Sequence, residues 1–205
     1  MIAFFHTLKS NVDKFEQLAR KYYPEGDIRH FVNEDILNFA LTQGHTNAKA
    51  FDAEIENIRR LHPDKIICTC STYGEDSERH PDVFRIDRPI ANYLVKHYHS
   101  IGLAYAAEST REISSRLIEQ IAQENQKEVD IQVIDCRSAW PFFEQNKPHD
   151  YAQEIARCLR TQADRAEVIL LAQASMEGAR AYLKDFPKEV WTSPEYGVKS
   201  LLQSP

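Results

Sequence analysis

This sequence has little that would take it to a membrane, a nucleic acid or a metal. No apolar run approaches the roughly 20 residues that a membrane-spanning helix needs. No basic run tracks a phosphate backbone: lysines stand singly, and the net charge is −6 with a pI of about 5.8, which excludes a nucleic-acid partner from the expectation. The pair Arg59-Arg60 falls near the end of a helical pattern, where it suits the helix dipole. Only four cysteines occur, Cys68, Cys70, Cys136 and Cys158, at no metal-ligand or disulfide-framework spacing. They read as reduced thiols of a cytosolic protein. The histidines show no metal spacing either, and His97 and His99 fall on different faces of a helix. Met1 to Phe5 is a short apolar run without a basic leader, so a cytoplasmic location is the expectation.

What is present is ordinary globular material. The chain of 205 residues is 42% hydrophobic and 27% charged, enough for one large or two small domains with a sizeable core. Its centre is Lys65-Ile66-Ile67-Cys68-Thr69-Cys70-Ser71-Thr72-Tyr73-Gly74. An apolar β run stops there abruptly at a thiol and two hydroxyls. That pattern fits a buried parallel strand whose carboxyl end carries chemistry, since open α/β sheets place ligands at that edge. Val168-Ile169-Leu170-Leu171-Ala172-Gln173-Ala174-Ser175-Met176-Glu177-Gly178 reads the same way. Aligned on their strand ends, Cys70 meets Gln173 at an offset of 173 − 70 = 103.

The rest of the chain repeats one order. Strands are expected at Ile2–Phe5, Ile28–Val32, Lys65–Cys70 and Val83–Ile86, then again at Ile101–Ala106, Val129–Ile134, the Gln173 strand and Val190-Trp191. Between them lie helical stripes such as Val12, Phe15, Leu18, Tyr22 and Phe51, Ile55, Ile58, Leu61. Ser10 is placed to cap the first helix, and Ser109 with Glu112 forms a capping box ahead of Ile113, Leu117 and Ile121. Glu75 to Pro81 reads as a charged surface loop, Trp140 to Phe143 as an aromatic connector, and Met176 to Phe186 as a helix. Pro89 and Pro194 each open a helix after a short strand, 194 − 89 = 105 apart, while strand one recurs at 101 − 2 = 99. These slowly drifting offsets predict a duplicated α/β unit: a first lobe over 1–100, a second over 101–192, and a C-terminal helix over 193–203 that is placed to pack on the first.

With these residues in view, the chain resembles the aspartate/glutamate racemase superfamily, whose relatives include hydantoin racemases, maleate isomerases and arylmalonate decarboxylases. Cys70-Ser71-Thr72 is similar to the Cys-Asn-Thr of the amino-acid racemases. Leu171 to Met176 resembles their second cysteine motif, with Gln173 in place of the cysteine, and Ala106 to Thr110 resembles their substrate-binding turn. The resemblance implies two pseudo-symmetric parallel-sheet lobes with helices on both faces, a site at the cleft between them, and cofactor-independent proton transfer next to a carboxylate. In those racemases two cysteines face opposite sides of the α-carbon. Gln173 cannot titrate, so it cannot serve as the second acid/base.

The expected function is therefore one-cysteine proton transfer on a small carboxylic acid, isomerase-, racemase- or decarboxylase-like, with no cofactor and no metal. A protein that kept the fold and only binds a small carboxylate is the alternative, and a homo-oligomer is left open. Cys70 is the candidate catalytic residue, with strand-end N–H groups expected to lower its pKa. A packed core cysteine is the competing reading, and Cys68, Cys136 and Cys158 are assigned to packing. Thr7, Ser71, Thr72, Thr110, Gln173 and Ser175 are the candidate substrate-binding residues, each also readable as a cap or turn residue. His6 and Glu108 are candidates for a second acid/base. Asp87-Arg88 could hold a carboxylate or form an ion pair.

Overall fold

In the computed structural model, which describes residues 1–203, two four-stranded sheets carry the fold. The first contains β1 (Ile2–His6), β2 (Ile28–Val32), β3 (Lys65–Cys68) and β4 (Val83–Arg85), in the order β2-β1-β3-β4. The second contains β5 (Ser100–Tyr105), β6 (Asp130–Asp135), β7 (Val168–Leu171) and β8 (Glu189–Thr192), in the order β6-β5-β7-β8. Every pairing is parallel. The two sheets are therefore one topology used twice, and the ladder keeps the offsets read from the sequence. Ile2 pairs with Lys65 and Ile101 with Val168, which are 101 − 2 = 99 and 168 − 65 = 103 residues apart.

Parallel strands need crossover helices, and those helices cover both faces of the sheet. In the first unit α1 (Val12–Tyr22) lies on the face of Phe4, whose ring meets Phe15 at 6.0 Å. The opposite face packs Ala3, Phe5, Ile66 and Cys68 against Phe51, Ile55 and Ile58 of α3 (Ala48–Arg59), with Ile36 and Ala40 of α2 (Asp35–Gln43). Neighbouring residues of β1 thus enter opposite cores, as the period of two requires. α4 (Gly74–Glu78) follows β3 directly. The segment Glu75 to Pro81, expected as a surface loop, holds this helix because its polar groups have partners: Asp76 and Asp52 both take Arg79, and buried Ser77 donates to the Tyr73 carbonyl at 2.8 Å.

α5 (Arg88–His97) opens the second unit, which continues through α6 (Glu108–Glu124), α7 (Trp140–Glu144) and α8 (Pro148–Gln162). The core of one face joins Ala104, Ile134, Ile169 and Leu171 to Ile155 and Leu159 of α8. Gly102 in β5 is required by close approach: a Cβ there would lie 2.6 Å from Ile169 and 2.9 Å from Ile134. Trp140 to Glu144, read as a connector, is a short helix with Pro141 in its first turn. Ala174–Tyr182, read as part of an α-helix, winds instead as a 3-10 run closed by i→i+3 bonds such as Leu183 N–H to the Arg180 carbonyl.

By its contacts the chain divides into Met1–Pro89 with the segment from Pro194 on, and Ile90–Ser193. The cut lies one helix earlier than residue 100. The reason is that α5 packs on second-unit residues, with the Tyr93 ring 5.3 Å from Trp191. α9 (Ser193–Gln203) returns to the first unit, where Glu195 takes Lys21 and the Tyr22 hydroxyl. No helix among the described residues is long and apolar enough to cross a membrane.

Candidate functional site

The candidate residues gather at or just after the carboxyl edges of the central strands, five in the first unit, His6 included, and four in the second. In the first unit β1 runs into Thr7 and β3 into Cys70, Ser71 and Thr72. Cys70 has extended backbone and leads into a 3-10 turn at Ser71–Tyr73 and then α4. The chain reverses tightly enough that the N–H groups of Thr72 and Tyr73 point back at the Cys70 sulfur, and the hydroxyls of Thr7 and Thr72 donate to it as well. Four donors therefore surround one sulfur. Cys70 is half-buried, whereas Cys68, Cys136 and Cys158 are buried. Cys136 and Cys158 hydrogen-bond one another in the second core.

The expected lowering of the Cys70 pKa does not occur. Burial is the largest influence and pushes the thiol above its ordinary value, while the donors from Thr7, Thr72 and Tyr73 work in the opposite direction. Desolvation penalises the thiolate more than the donors favour it. Burial thus outweighs the four donors at Cys70 and favours the thiol over the thiolate.

Just behind the collar, Arg85 is buried with bidentate hydrogen bonds to Asp87 at 2.7 and 3.0 Å and a third to Glu78 at 3.2 Å. Gly74 is glycine because a Cβ there would sit 2.3 Å from the Arg85 guanidinium carbon. Arg88 also pairs with Glu78. Asp87 and Arg88 are accordingly both engaged in this network.

In the second unit the equivalent strand ends carry Thr110, Glu108, Gln173 and Ser175. The Gln173 side-chain oxygen accepts the N–H groups of Ala106 and Ala107 at 2.8 and 2.9 Å. The capping box expected at Ser109 and Glu112 does not form, because α6 starts at Glu108 with Ala107 as its N-cap and without a side-chain cap; Gln173, just past the end of β7, accepts the N–H groups immediately ahead of the helix. Two obligate donors face that end of the amide, so the oxygen must face them. The amide NH2 lies at the other end of the group, and no hydrogen bond from it is seen among the described residues. Thr110 is buried. Ser175 Oγ lies 3.1 Å from the Tyr151 hydroxyl. Glu108 is half-exposed and pairs with Arg111 at 2.7 Å and Arg137 at 3.0 Å.

His6 is fully buried, with both ring nitrogens engaged: Nδ1 lies 2.8 Å from Thr69 Oγ1 and Nε2 lies 2.8 Å from His30 Nδ1. Burial, with His30 alongside, pushes its pKa down to about 3. Residue-by-residue reading missed Thr69, His30, Glu16, Arg85 and Tyr151. Thr69 alone had a local signal, as a hydroxyl between two strand-end cysteines.

No family model matches the chain, and no curated protein matches it. Solved structures do. A glutamate racemase isoform from Bacillus anthracis superposes with a TM-score of 0.76 at 14% identity, covering 98% of this chain and 79% of that one. An aspartate racemase from Picrophilus torridus gives 0.72 at 16% identity, covering 98% and 92%. An allantoin racemase from Pseudomonas fluorescens gives 0.60 at 16% identity, covering 98% and 88%. At these identities the likeness is one of fold, and this chain has the two-unit α/β fold of those racemases.

Proposed function

We propose that this chain, with the fold of the glutamate, aspartate and allantoin racemases, is an isomerase- or decarboxylase-like enzyme in which Cys70 transfers a proton next to a carboxylate of a small acid. The observation that carries the reading is the four-donor collar around a half-buried thiol at the carboxyl edge of a central strand. A packed core cysteine gains nothing from four donors, whereas a thiolate formed during turnover gains a charge-assisted bond from each.

The raised pKa sets the direction of the chemistry. A protonated thiol is suited to giving a proton. A carbanion or enediolate arises when CO2 leaves and the pair of the broken C–C bond stays on the α-carbon, or when the α-proton passes to the Cys70 thiolate and exchanges there with solvent; the S–H bond then breaks, a C–H bond forms, and the electron pair of the S–H bond stays on sulfur. Thr7, Thr72 and Tyr73 then hold the thiolate until a proton from solvent restores the thiol. Ser71 and Thr72 serve as neighbouring donors to the substrate carboxylate, and no cofactor takes part in this scheme.

In the second unit, Gln173 contributes an oriented NH2 in place of a thiol. It donates to anionic oxygen and cannot move a proton. Thr110 and Ser175 are assigned to substrate binding at the same strand ends. Glu108 is held by two arginines and His6 is buried with both nitrogens engaged, so neither is poised as a second acid/base, which favours protonation from one side over racemisation.

The test is proton exchange in D2O across a panel of small α-substituted carboxylic and dicarboxylic acids, followed by NMR. Deuterium should enter next to the carboxylate of at least one acid with wild type and with none in Cys70→Ala. Saturable binding of a carboxylate with no exchange would support the non-catalytic binding protein instead.

A further inference from the structure

The first unit carries a second polar chain, on the sheet face opposite the Cys70 collar, that the proposed chemistry leaves unused. It starts on α1 at the partly exposed Glu16, whose Oε2 lies 2.9 Å from His30 Nε2. His30 Nδ1 lies 2.8 Å from His6 Nε2, and His6 Nδ1 lies 2.8 Å from Thr69 Oγ1. The two imidazoles stack at 5.1 Å with 12° between planes. Phe4 stacks on His30, and Phe15 lies against His6. The charged groups facing the rings are Glu16 and, behind it, Arg20, which holds the other carboxylate oxygen at 2.8 Å. From β1 and β3 the rings meet Phe4 by stacking and Thr69 by a hydrogen bond.

Each gap in this chain needs one hydrogen. Glu16 supplies none, because Arg20 and His30 keep its carboxyl below the ordinary range even though burial works against them. Two fillings then satisfy every gap. With His30 doubly protonated, it donates to Glu16 and to His6 Nε2. His6 donates from Nδ1 to Thr69, and the Thr69 hydroxyl donates to the Phe5 carbonyl, 3.2 Å away. With one proton fewer, His30 keeps Nε2–H toward Glu16 and accepts at Nδ1 from His6 Nε2–H. His6 Nδ1 then accepts from the Thr69 hydroxyl, which leaves the Phe5 carbonyl to the Thr69 N–H at 3.0 Å. The released proton passes to solvent, and no covalent bond other than N–H changes.

We propose that Glu16, His30, His6 and Thr69 form a proton-linked relay, in which loss of one proton switches His6 between its neutral tautomers and turns the Thr69 hydroxyl from the Phe5 carbonyl to His6. The consequence at the collar rests on the functional reading above. Thr7 follows His6 and Cys70 follows Thr69 on the paired ends of β1 and β3, so the His6–Thr69 bond positions the Thr7–Cys70 bond on the other face. His6, His30 and Glu16 are positioning residues in this account.

Nitrogen-15 NMR of the histidine side chains, recorded against pH on the free protein, tests the relay without any substrate. His6 should carry its proton on Nδ1 at low pH and on Nε2 at high pH, in a single step that the His30 nitrogen signals report at the same time. In Glu16→Gln the tautomer change should move to lower pH, since a neighbouring anion no longer favours the charged pair of rings. A His6 that keeps one tautomer while His30 titrates overturns the relay. For the positioning claim, the Cys70 alkylation rate should show an inflection at the same pH and move with it in Glu16→Gln. An inflection-free rate overturns that claim. Failure of the catalytic reading would appear separately, as absent exchange in D2O with the NMR result intact.

Discussion

Replacing Gln173 with Met should loosen the carboxyl edge of the second sheet, and replacing it with Glu should not. The Gln173 oxygen is the acceptor for two N–H groups, at 2.8 and 2.9 Å, at the start of a helix with no side-chain cap of its own. Met has nearly the same shape and accepts neither. A net hydrogen bond contributes about 1 kcal/mol, and a donor stranded away from water costs about 1–3 kcal/mol. Both donors belong to buried residues, but Gln173 itself is half-buried, so water can reach the gap and recover some of this, and a total of about 2–3 kcal/mol is expected. Glu keeps both bonds, and its charge at the N-terminus of α6 adds roughly 0.3–1 kcal/mol. With a urea slope of about 2–3 kcal/mol per molar, Gln173→Met should lower the unfolding midpoint by roughly 1 M, and Gln173→Glu should match or exceed wild type. A Met midpoint within a few tenths of a molar of wild type would refute the cap. The same pair of variants separates capping from recognition. Glu turns the amide NH2 into a carboxylate oxygen, so a small carboxylate ligand should bind at least tenfold more weakly to a protein that is no less stable.

Three further outcomes are expected. Cys70 should alkylate slowly at neutral pH, with a rate that is still rising above the free-thiol pKa of about 8.5, because burial raises its pKa; a plateau below pH 8 would contradict this. Asp87→Ala should cost about 3–5 kcal/mol, read as a large drop in Tm, because it strands the buried Arg85 guanidinium with Glu78 alone. His6 falls from an ordinary value of 6.5 to about 3 on folding, so between those values the unfolded chain binds the extra proton. Stability from this group is complete above about pH 6.5 and declines toward pH 3, by at most about 1.4 kcal/mol per unit. Urea unfolding from pH 4 to 7 should show that slope, and a slope of the same size in His6→Gln would show that it comes from elsewhere.

The sheets were legible in the sequence for a physical reason. Strands buried on both faces read as unbroken apolar runs, so Lys65–Cys68 and Val168–Leu171 stood out, and their shared offset disclosed the duplication before any coordinate. The strand-end candidates followed, since parallel strands deliver their carboxyl ends to one edge. What failed were local rules overridden at a distance. The box at Ser109 and Glu112 is a sound local signal, yet the helix begins earlier, at Glu108, with Ala107 as its N-cap, which leaves Ser109 inside the first turn instead of capping it. α4 was hidden because its acidic residues looked like solvated loop until Arg79 and Arg85 were placed beside them. The sign at Cys70 was misjudged because donors can be read from a turn, whereas burial depends on the whole unit. Glu16, His30 and His6 lie on three different elements, and no spacing in the sequence brings them together.

The most direct test of the central claim is the stereochemistry of the deuterium that enters next to the carboxylate during turnover in D2O. A single thiol reaches one face, so the product should carry deuterium in one configuration with wild type, and none should enter in Cys70→Ala. Deuterium scrambled over both configurations, or incorporated equally well without Cys70, would contradict a one-cysteine proton donor.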